Sequence, residues 1–436
     1  MLKQQIYRFY IKTAIFILAV FLFNYLHQIQ QGTYEFIFVP LAQNLLDGNG
    51  YTFYLFNGGP ATYPLWGFTF QILAGLPAGL HNVGVLLSNF LMALIGVHYF
   101  YRLFPLTPRF YHNFLFIPFY ALMSVKWPDA AAGAMMIPAV FYAKNYFQKR
   151  ELIYAVYSGI FLGIVFNFRS EYIYFPLFLI IFAIPFFKRV NYFSIVKYAV
   201  ISGFIAFLLI LPWTLRQYSL TGEFSPSATN GGAVAYISLG QLPGNLWGIE
   251  PVDKTAFEYV RKNGVENPYS PEGNKLLINH FIELVQSKPI EYVYKLLNNF
   301  IDAFTGGVYT GEFSALMIEN NRFDEINKVV AEMPTVIDKI EYIRELPINE
   351  SLPIIIEKAI RLLFIVVFIA LMMNVFFGSI NKLKIHYIYF LIIAVVVYKL
   401  LIVSSLQYEY RHMNQIYMFV LGLAMLNIDL KLKQVR

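Results

Sequence analysis

The chain has no cysteine. That excludes disulfides, thiolate metal sites and cysteine nucleophiles, and leaves the compartment open. Histidine is scarce, with 7 in 436 residues. No HExxH or DxD spacing stands out, so no metal site is expected, although outer acids leave room for one divalent ion as the only cofactor. No GxGxxG or P-loop precedes a helix in a strand–helix unit, so no nucleotide-binding region is expected. Charge is also scarce. Asp, Glu, Lys and Arg make up 14% of the chain, where a soluble domain carries about 25%.

What is present is apolar surface: 58% hydrophobic residues and a mean hydropathy of +0.54. Long runs occur at Phe9–Leu26, Val83–Tyr101, Val196–Trp213, Leu362–Phe377, Ile385–Ile402 and Met413–Ile428. Runs of about 18 such residues read as membrane-spanning helices. Shorter runs fill in at Tyr111–Val125, Ala130–Tyr146, Leu152–Asn167 and Tyr172–Phe187. A closed barrel is the only other solution in lipid, and these segments are too long and too uniformly apolar for one. The expected fold is an all-α polytopic membrane protein of about ten spans. Membrane lipid is therefore a partner.

The net charge of +7 does not point to nucleic acid, because Lys and Arg cluster beside the spans. Lys3, Arg8 and Lys12 precede the first run. Arg102 with Arg109, Lys144 with Lys149 and Arg150, Lys188 with Arg189, and Lys382 with Lys384 fill four short loops, and Lys431, Lys433 and Arg436 end the chain. The positive-inside rule puts these on one side, with both termini cytoplasmic. This holds if Pro64–Leu80, punctuated by Gly67, Gly75, Pro77 and Gly79, does not cross. The basic N-terminus has no small-residue cleavage site after its apolar run, and reads as a retained first span.

That topology divides the chain into an N-terminal transmembrane module (1–213), an outer, mainly helical domain (214–353) and C-terminal spans (354–436). The first outer loop covers 28–64. Within the outer domain, Lys275–Gln286, Glu291–Phe304, Asp324–Glu332 and Val336–Leu346 space apolar residues as helices do. The outer face then receives Glu35, Lys126, Asp129, Arg169, Glu171, Arg216, Tyr408, Glu409, Arg411 and His412.

Each candidate has a plainer reading. Glu35 and Asp129 stand where acids cap helix N-termini. Arg169 and Glu171 flank one tight turn, and would make a local pair of little worth if exposed. Arg216 lies one turn past a span, where arginine snorkels. Lys399 is the more informative cation. It lies inside an apolar run near its outer end, where an ionisable group is costly and marks a functional candidate. Separated acids with several cations at one bundle face suit a transferase that uses a lipid-linked phosphate donor. An acid takes the acceptor proton, and cations stabilise the departing phosphate.

The order of motifs resembles the GT-C class of integral-membrane glycosyltransferases, in particular the protein O-mannosyltransferase and lipid A aminoarabinose transferase superfamily. AQNLLDGNGY (Ala42–Tyr51) resembles the family's segment after its first-loop acid. WPD (Trp127–Asp129) stands at its second outer acid, and NFRSEYIYFP (Asn167–Pro176) at its R-P-E turn. PWTLRQYSLTGEF (Pro212–Phe224) with TNGG (Thr229–Gly232), and then YEYRH near the C-terminus, complete the series. The departures are Glu35 where the family has Asp, often one residue earlier, Ser170 for Pro, and Gln217 for Asn.

The resemblance implies an inverting transferase in a bacterial-type inner membrane, acting on its outer face. The donor is a polyprenyl-phosphate sugar, and the acceptor a glycan, lipid or protein hydroxyl. Glu35 and Asp129 are the expected catalytic acids. Arg216, Lys399, Arg411 and His412 are expected to contact the donor phosphate. Arg169, Glu171, Tyr408 and Glu409 would form the rim. The rival reading is a transporter or flippase of a lipid-linked or anionic substrate; a third is a non-catalytic assembly partner.

Overall fold

The structure is a computed structural model. It describes residues 2–26, 37–53, 59–60, 62, 65–74, 81–124, 128–186, 191–242, 244–305, 336–373, 387–406 and 410–435, with a few single positions between 322 and 333. Glu35, Lys126, Tyr408, Glu409 and most of the expected Asp324–Glu332 helix lie outside the described residues.

Among the described residues, regular structure is helical apart from one two-residue ladder, Thr52–Phe53 against Gly59–Pro60. The helices are α1 (Leu2–Leu26), α2 (Val39–Leu46), α3 (Trp66–Leu73), α4 (His81–Leu103), α5 (His112–Leu115), α6 (Ile117–Ser124) and α7 (Pro128–Lys149). They continue as α8 (Leu152–Phe168), α9 (Phe175–Ala183), α10 (Tyr192–Thr221), α11 (Gly231–Ser238), α12 (Asp253–Lys262), α13 (Pro271–Ser287) and α14 (Pro289–Thr305). The last are α15 (Val336–Glu345), α16 (Ile348–Met373), α17 (Tyr387–Ser405) and α18 (Tyr410–Val435).

Among the described residues, three helices are long and apolar enough to cross a membrane: Asn82–Leu103 in α4, α10 and α17. Three shorter apolar segments accompany them, Leu152–Phe168, Ser170–Phe186 and Gln415–Leu426. Two expected runs are interrupted. Tyr111–Val125 breaks at Phe116 into α5 and α6, and Tyr172–Phe187 opens with a 3-10 turn (Ser170–Tyr174) before α9. α10 instead runs two turns beyond Trp213 and stops at Gly222, whose φ of 70° suits glycine as the residue after a helix. α3 has eight residues, a length of about 12 Å, so by itself it does not cross a bilayer.

The main core packs α7 against α4 and α8, and α8 against α10, with α17 and α18 closing the bundle. Trp213, Tyr120 and Tyr172 are its largest fully buried side chains. Alternating chain direction makes two distinct ends. At one, the starts of α7, α9 and α18 meet the ends of α8, α10 and α17. At the other, Arg150 donates to Tyr387 Oη and Phe147 stacks on the same ring.

A second, smaller core joins α11, α12 and α13 through Ala233, Tyr236, Ile237, Val260 and Leu277. It is fastened to the bundle at the first end. Lys295 on α14 donates to the Ser404, Ser405 and Leu406 carbonyls that end α17. Tyr292 donates to Ser405 O, and Asn299 to Leu406 O. A helix C-terminus carries unsatisfied carbonyls and partial negative charge, so an ammonium there is favoured. Burial pushes the Lys295 ammonium down to about 7. The three carbonyls oppose that shift, because a neutral amine has only two hydrogens to give them.

Candidate functional site

The candidate site is the first end of the bundle, and it contains two distinct groups of side chains. The first is a network of charges. Asp129 lies in the first turn of α7 and is fully buried. Its Oδ2 accepts from Arg169, which follows α8, and its Oδ1 accepts from Gln415 of α18 at 2.6 Å. Gln415 Oε1 in turn accepts from Tyr172 Oη at 2.6 Å. Two residues after Arg169, Glu171 accepts from Lys399 Nζ of α17 at 2.9 Å. The Lys399 ammonium also lies over the Tyr172 ring, 5.6 Å from its centroid. Tyr398 donates to the Glu171 carbonyl. Two acids and two cations thus alternate across four elements, with Tyr172 and Gln415 between the pairs.

Local structure explains the arrangement. The 3-10 turn Ser170–Tyr174 separates Arg169 from Glu171 and turns them to different neighbours. Arg169 goes back to α7, and Glu171 across to α17. Gly133 allows α18 to close on α7 beside the pair, since a Cβ there would stand 3.0 Å from Gln415 Cα.

The second group joins the first loop to α10. Arg216 donates to the Tyr51 carbonyl at 2.9 Å. Its guanidinium lies 5.3 Å from the Tyr51 ring centroid and 5.5 Å from that of Trp213. Tyr51 Oη and Thr69 Oγ1 share a 3.0 Å hydrogen bond. Trp66 packs edge-on to Trp213 and donates to Asn167 Oδ1 at 2.9 Å. Asn167 stands two residues before Arg169, so the two groups adjoin at the end of α8. Below them, Thr62 Oγ1 donates to the Tyr269 carbonyl at 2.6 Å, and Thr229 Oγ1 reaches Thr62 Oγ1 at 2.7 Å. Gln217 donates to Thr62 O at 3.0 Å. The loop, α10 and the second core are therefore tied at one point.

These contacts explain the motifs physically. In AQNLLDGNGY, Asn44 donates to Thr52 O at 2.9 Å. Gly48 and Gly50 have φ of 79° and 75°, which side chains with a Cβ disfavour. The segment is a helix end folded into a turn that presents the Tyr51 carbonyl to Arg216.

The plainer readings do not describe several of these residues. Asp129 does not act merely as a cap, because both its oxygens are taken by Arg169 and Gln415. Arg169 and Glu171 form no exposed local pair; each is bonded across the bundle. Lys399 does not snorkel outward, and its ammonium, expected to face a donor phosphate, is engaged by Glu171. Arg216 packs inward on rings. The backbone of Arg411 and His412 opens α18, but their side chains lie outside the described residues, as do Glu35, Tyr408 and Glu409. Among the described residues, no group of three His, Asp or Glu is placed to hold a metal ion.

Sequence reasoning passed over Tyr172, Gln415, Tyr398, Trp66 and Asn167 as individual residues. Gln415 carried a usable signal, being a polar residue inside the apolar run Met413–Ile428. No family model, curated protein or solved structure matches the chain.

Proposed function

We propose that the chain is an integral membrane glycosyltransferase of the GT-C kind, with about ten spans, both termini cytoplasmic and its site on the outer face of a bacterial-type inner membrane. It transfers a sugar from a polyprenyl phosphate to an acceptor hydroxyl, with inversion. The observation that carries this reading is the convergence of motif residues. Tyr51, Asp129, Asn167, Arg169, Glu171, Trp213 and Arg216 come from four separate motifs, yet adjoin at one end of the bundle. Ordered weak motifs that meet in space support a shared site better than their sequence order alone does.

In this reading Glu35, which precedes α2, takes the proton of the acceptor hydroxyl. The new bond joins that oxygen to the anomeric carbon as the carbon–oxygen bond to phosphate breaks. Polyprenyl phosphate leaves with the electron pair, and Arg216, with Arg411 and His412, meets its charge. Asp129 and Lys399 take a different part from catalysis and phosphate contact. They hold Arg169 and Glu171, and with them the ends of α8 and α9 that carry the site.

The test is transfer by the purified chain in lipid vesicles. A polyprenyl-phosphate sugar should serve as donor. Robust transfer from a UDP- or GDP-sugar without any polyprenyl carrier would sink the reading. Glu35→Gln keeps shape but cannot accept a proton, so turnover should fall by about 10²–10⁴-fold with donor binding kept. Full turnover of that variant would remove Glu35 from the base role.

A second reading, a transporter, is favoured by one observation: ion pairs buried among apolar helices are also the parts of a gated pathway. It predicts movement of a lipid-linked or anionic substrate across the vesicle without any new glycosidic bond.

A further inference from the structure

Helix α14 is inside out. Its inward face carries Lys295, 0% exposed, and Asn299, 1% exposed, together with Ala303 and the partly buried Tyr292. Its outward face carries Ile290, Val293, Tyr294, Leu297 and Ile301, of which Ile290 is 71% and Tyr294 59% exposed. At 3.6 residues per turn these five form one stripe, opposite Lys295 and Asn299. A helix facing water has the reverse pattern. α12, in the same outer stretch, has that ordinary pattern: Ala256 and Val260 are buried, while Lys254, Glu258 and Arg261 are exposed.

We propose that α14 lies in the boundary between the headgroups and acyl chains of the membrane, with the Ile290–Val293–Tyr294–Leu297–Ile301 stripe toward lipid. Three observations select lipid as the occupant. The opposite face is bonded to the last carbonyls of α17, a helix long and apolar enough to cross a membrane. That fixes α14 at the depth where such a span ends. α14 also packs on α16, whose own exposed residues Leu352, Ile355, Leu362 and Val366 extend the apolar surface. Finally, among the described side chains, charge is turned off the stripe. Lys288 donates to Leu246 O, Glu291 accepts from Leu246 N, and Lys295 is buried. An apolar stripe on a helix of low net hydrophobicity is what interfacial binding needs, and a tyrosine suits that depth. The helix is about 25 Å long, which suits lying along a bilayer surface.

A structural consequence follows. The lipid-facing helix grips the end of α17, and Lys399 lies five residues before the first gripped carbonyl. The bilayer thus helps fix the segment that holds Glu171. The inference rests on the bundle being embedded in a membrane and does not depend on glycosyl transfer.

The absence of cysteine makes the test direct. Single cysteines at Val293, Tyr294 and Leu297, and a control at Lys254 on α12, are spin-labelled in the full chain. The chain is then reconstituted in vesicles of phosphatidylcholine and phosphatidylglycerol. Collision rates with oxygen, which concentrates in lipid, and with a water-soluble nickel chelate are compared. The oxygen-to-chelate ratio should be several-fold higher along the stripe than at Lys254, and highest at Leu297 and Val293. A stripe as open to the chelate as Lys254 would overturn the proposal in favour of water. Protection from both probes would overturn it in favour of a protein partner or a second copy. Chromatographic behaviour identical to that of the unlabelled chain confirms folding, and the readout is independent of activity.

Discussion

The charged network at α7, α8, α9 and α17 and the Arg216 joint at α10 solve the same problem differently. In the network, each cation meets a carboxylate: Arg169 with Asp129, and Lys399 with Glu171. In the joint, Arg216 meets a backbone carbonyl and two ring faces. A carboxylate cancels a cation's charge; a carbonyl dipole and a π face orient it without cancelling it. The first region is thereby neutral and fixes how four elements fit together. The second holds a guanidinium against a carbonyl and two rings and fixes the first loop to α10.

The largest expected effect comes from breaking the neutral network at its most buried member. Asp129→Asn removes the charge that Arg169 faces. Removing one partner of a buried pair costs about 3–5 kcal/mol, because it strands the other charge. Arg169 is 20% exposed, which places the expected loss at the lower end of that range. The variant should show a lowered melting temperature in detergent. Adding Arg169→Gln should recover part of it, since a neutral pair strands nothing. If the double variant is no better than the single one, the two residues are not coupled and the comparison fails.

Lys399→Met tests the other half of the network. Its partner Glu171 is 18% exposed, so water relieves part of the stranded charge. The loss should be about 2–3 kcal/mol, with recovery on adding Glu171→Gln. The kinetic expectation separates this residue from Arg216. Lys399→Met with Glu171→Gln should leave donor KM near that of the parent, since the pair holds helices and not phosphate. A large rise in donor KM in that double variant would return Lys399 to the phosphate-contacting role expected of a cation inside an apolar run.

What the sequence conveyed of these two regions follows from how each is built. The apolar runs are visible because lipid admits only closed hydrogen bonding within each segment, and α4, α10 and α17 appear where they are expected. The interruption at Phe116 and the 3-10 turn before α9 leave no comparable mark, because composition there stays apolar on both sides. Asp129, Arg169, Glu171 and Lys399 were each visible as charges in costly places. Their pairing was not, because Glu171 and Lys399 are 228 residues apart and packing alone brings them together. Arg169 and Glu171, two residues apart, suggested each other, and the turn between them sends them to different neighbours. For α14 the helical period was legible in Glu291–Phe304. Which face turned inward was not, since periodicity is the same for a helix that faces water and for one that faces lipid.

The smallest expected effect on stability is at Arg216. Arg216→Lys keeps the charge but loses the planar fork and its stacking on Tyr51 and Trp213. Cation–π contacts contribute about 0.5–2 kcal/mol according to burial, and Arg216 is half-buried against them, so the melting temperature should change only modestly. Lysine presents a compact point charge that does not hold two rings and a carbonyl at once. The first loop should then be less well fixed against α10. If Arg216 meets the donor phosphate, donor KM should rise about tenfold for a loss of 1.4 kcal/mol, with kcat changing less. Arg216→Gln, which removes the charge, should raise KM further and lower kcat as well, because the leaving phosphate loses stabilisation in the transition state. Arg216→Lys with unaltered KM would mean that charge alone matters and the rings do not. An unaltered KM in Arg216→Gln would mean that Arg216 is not where the donor binds.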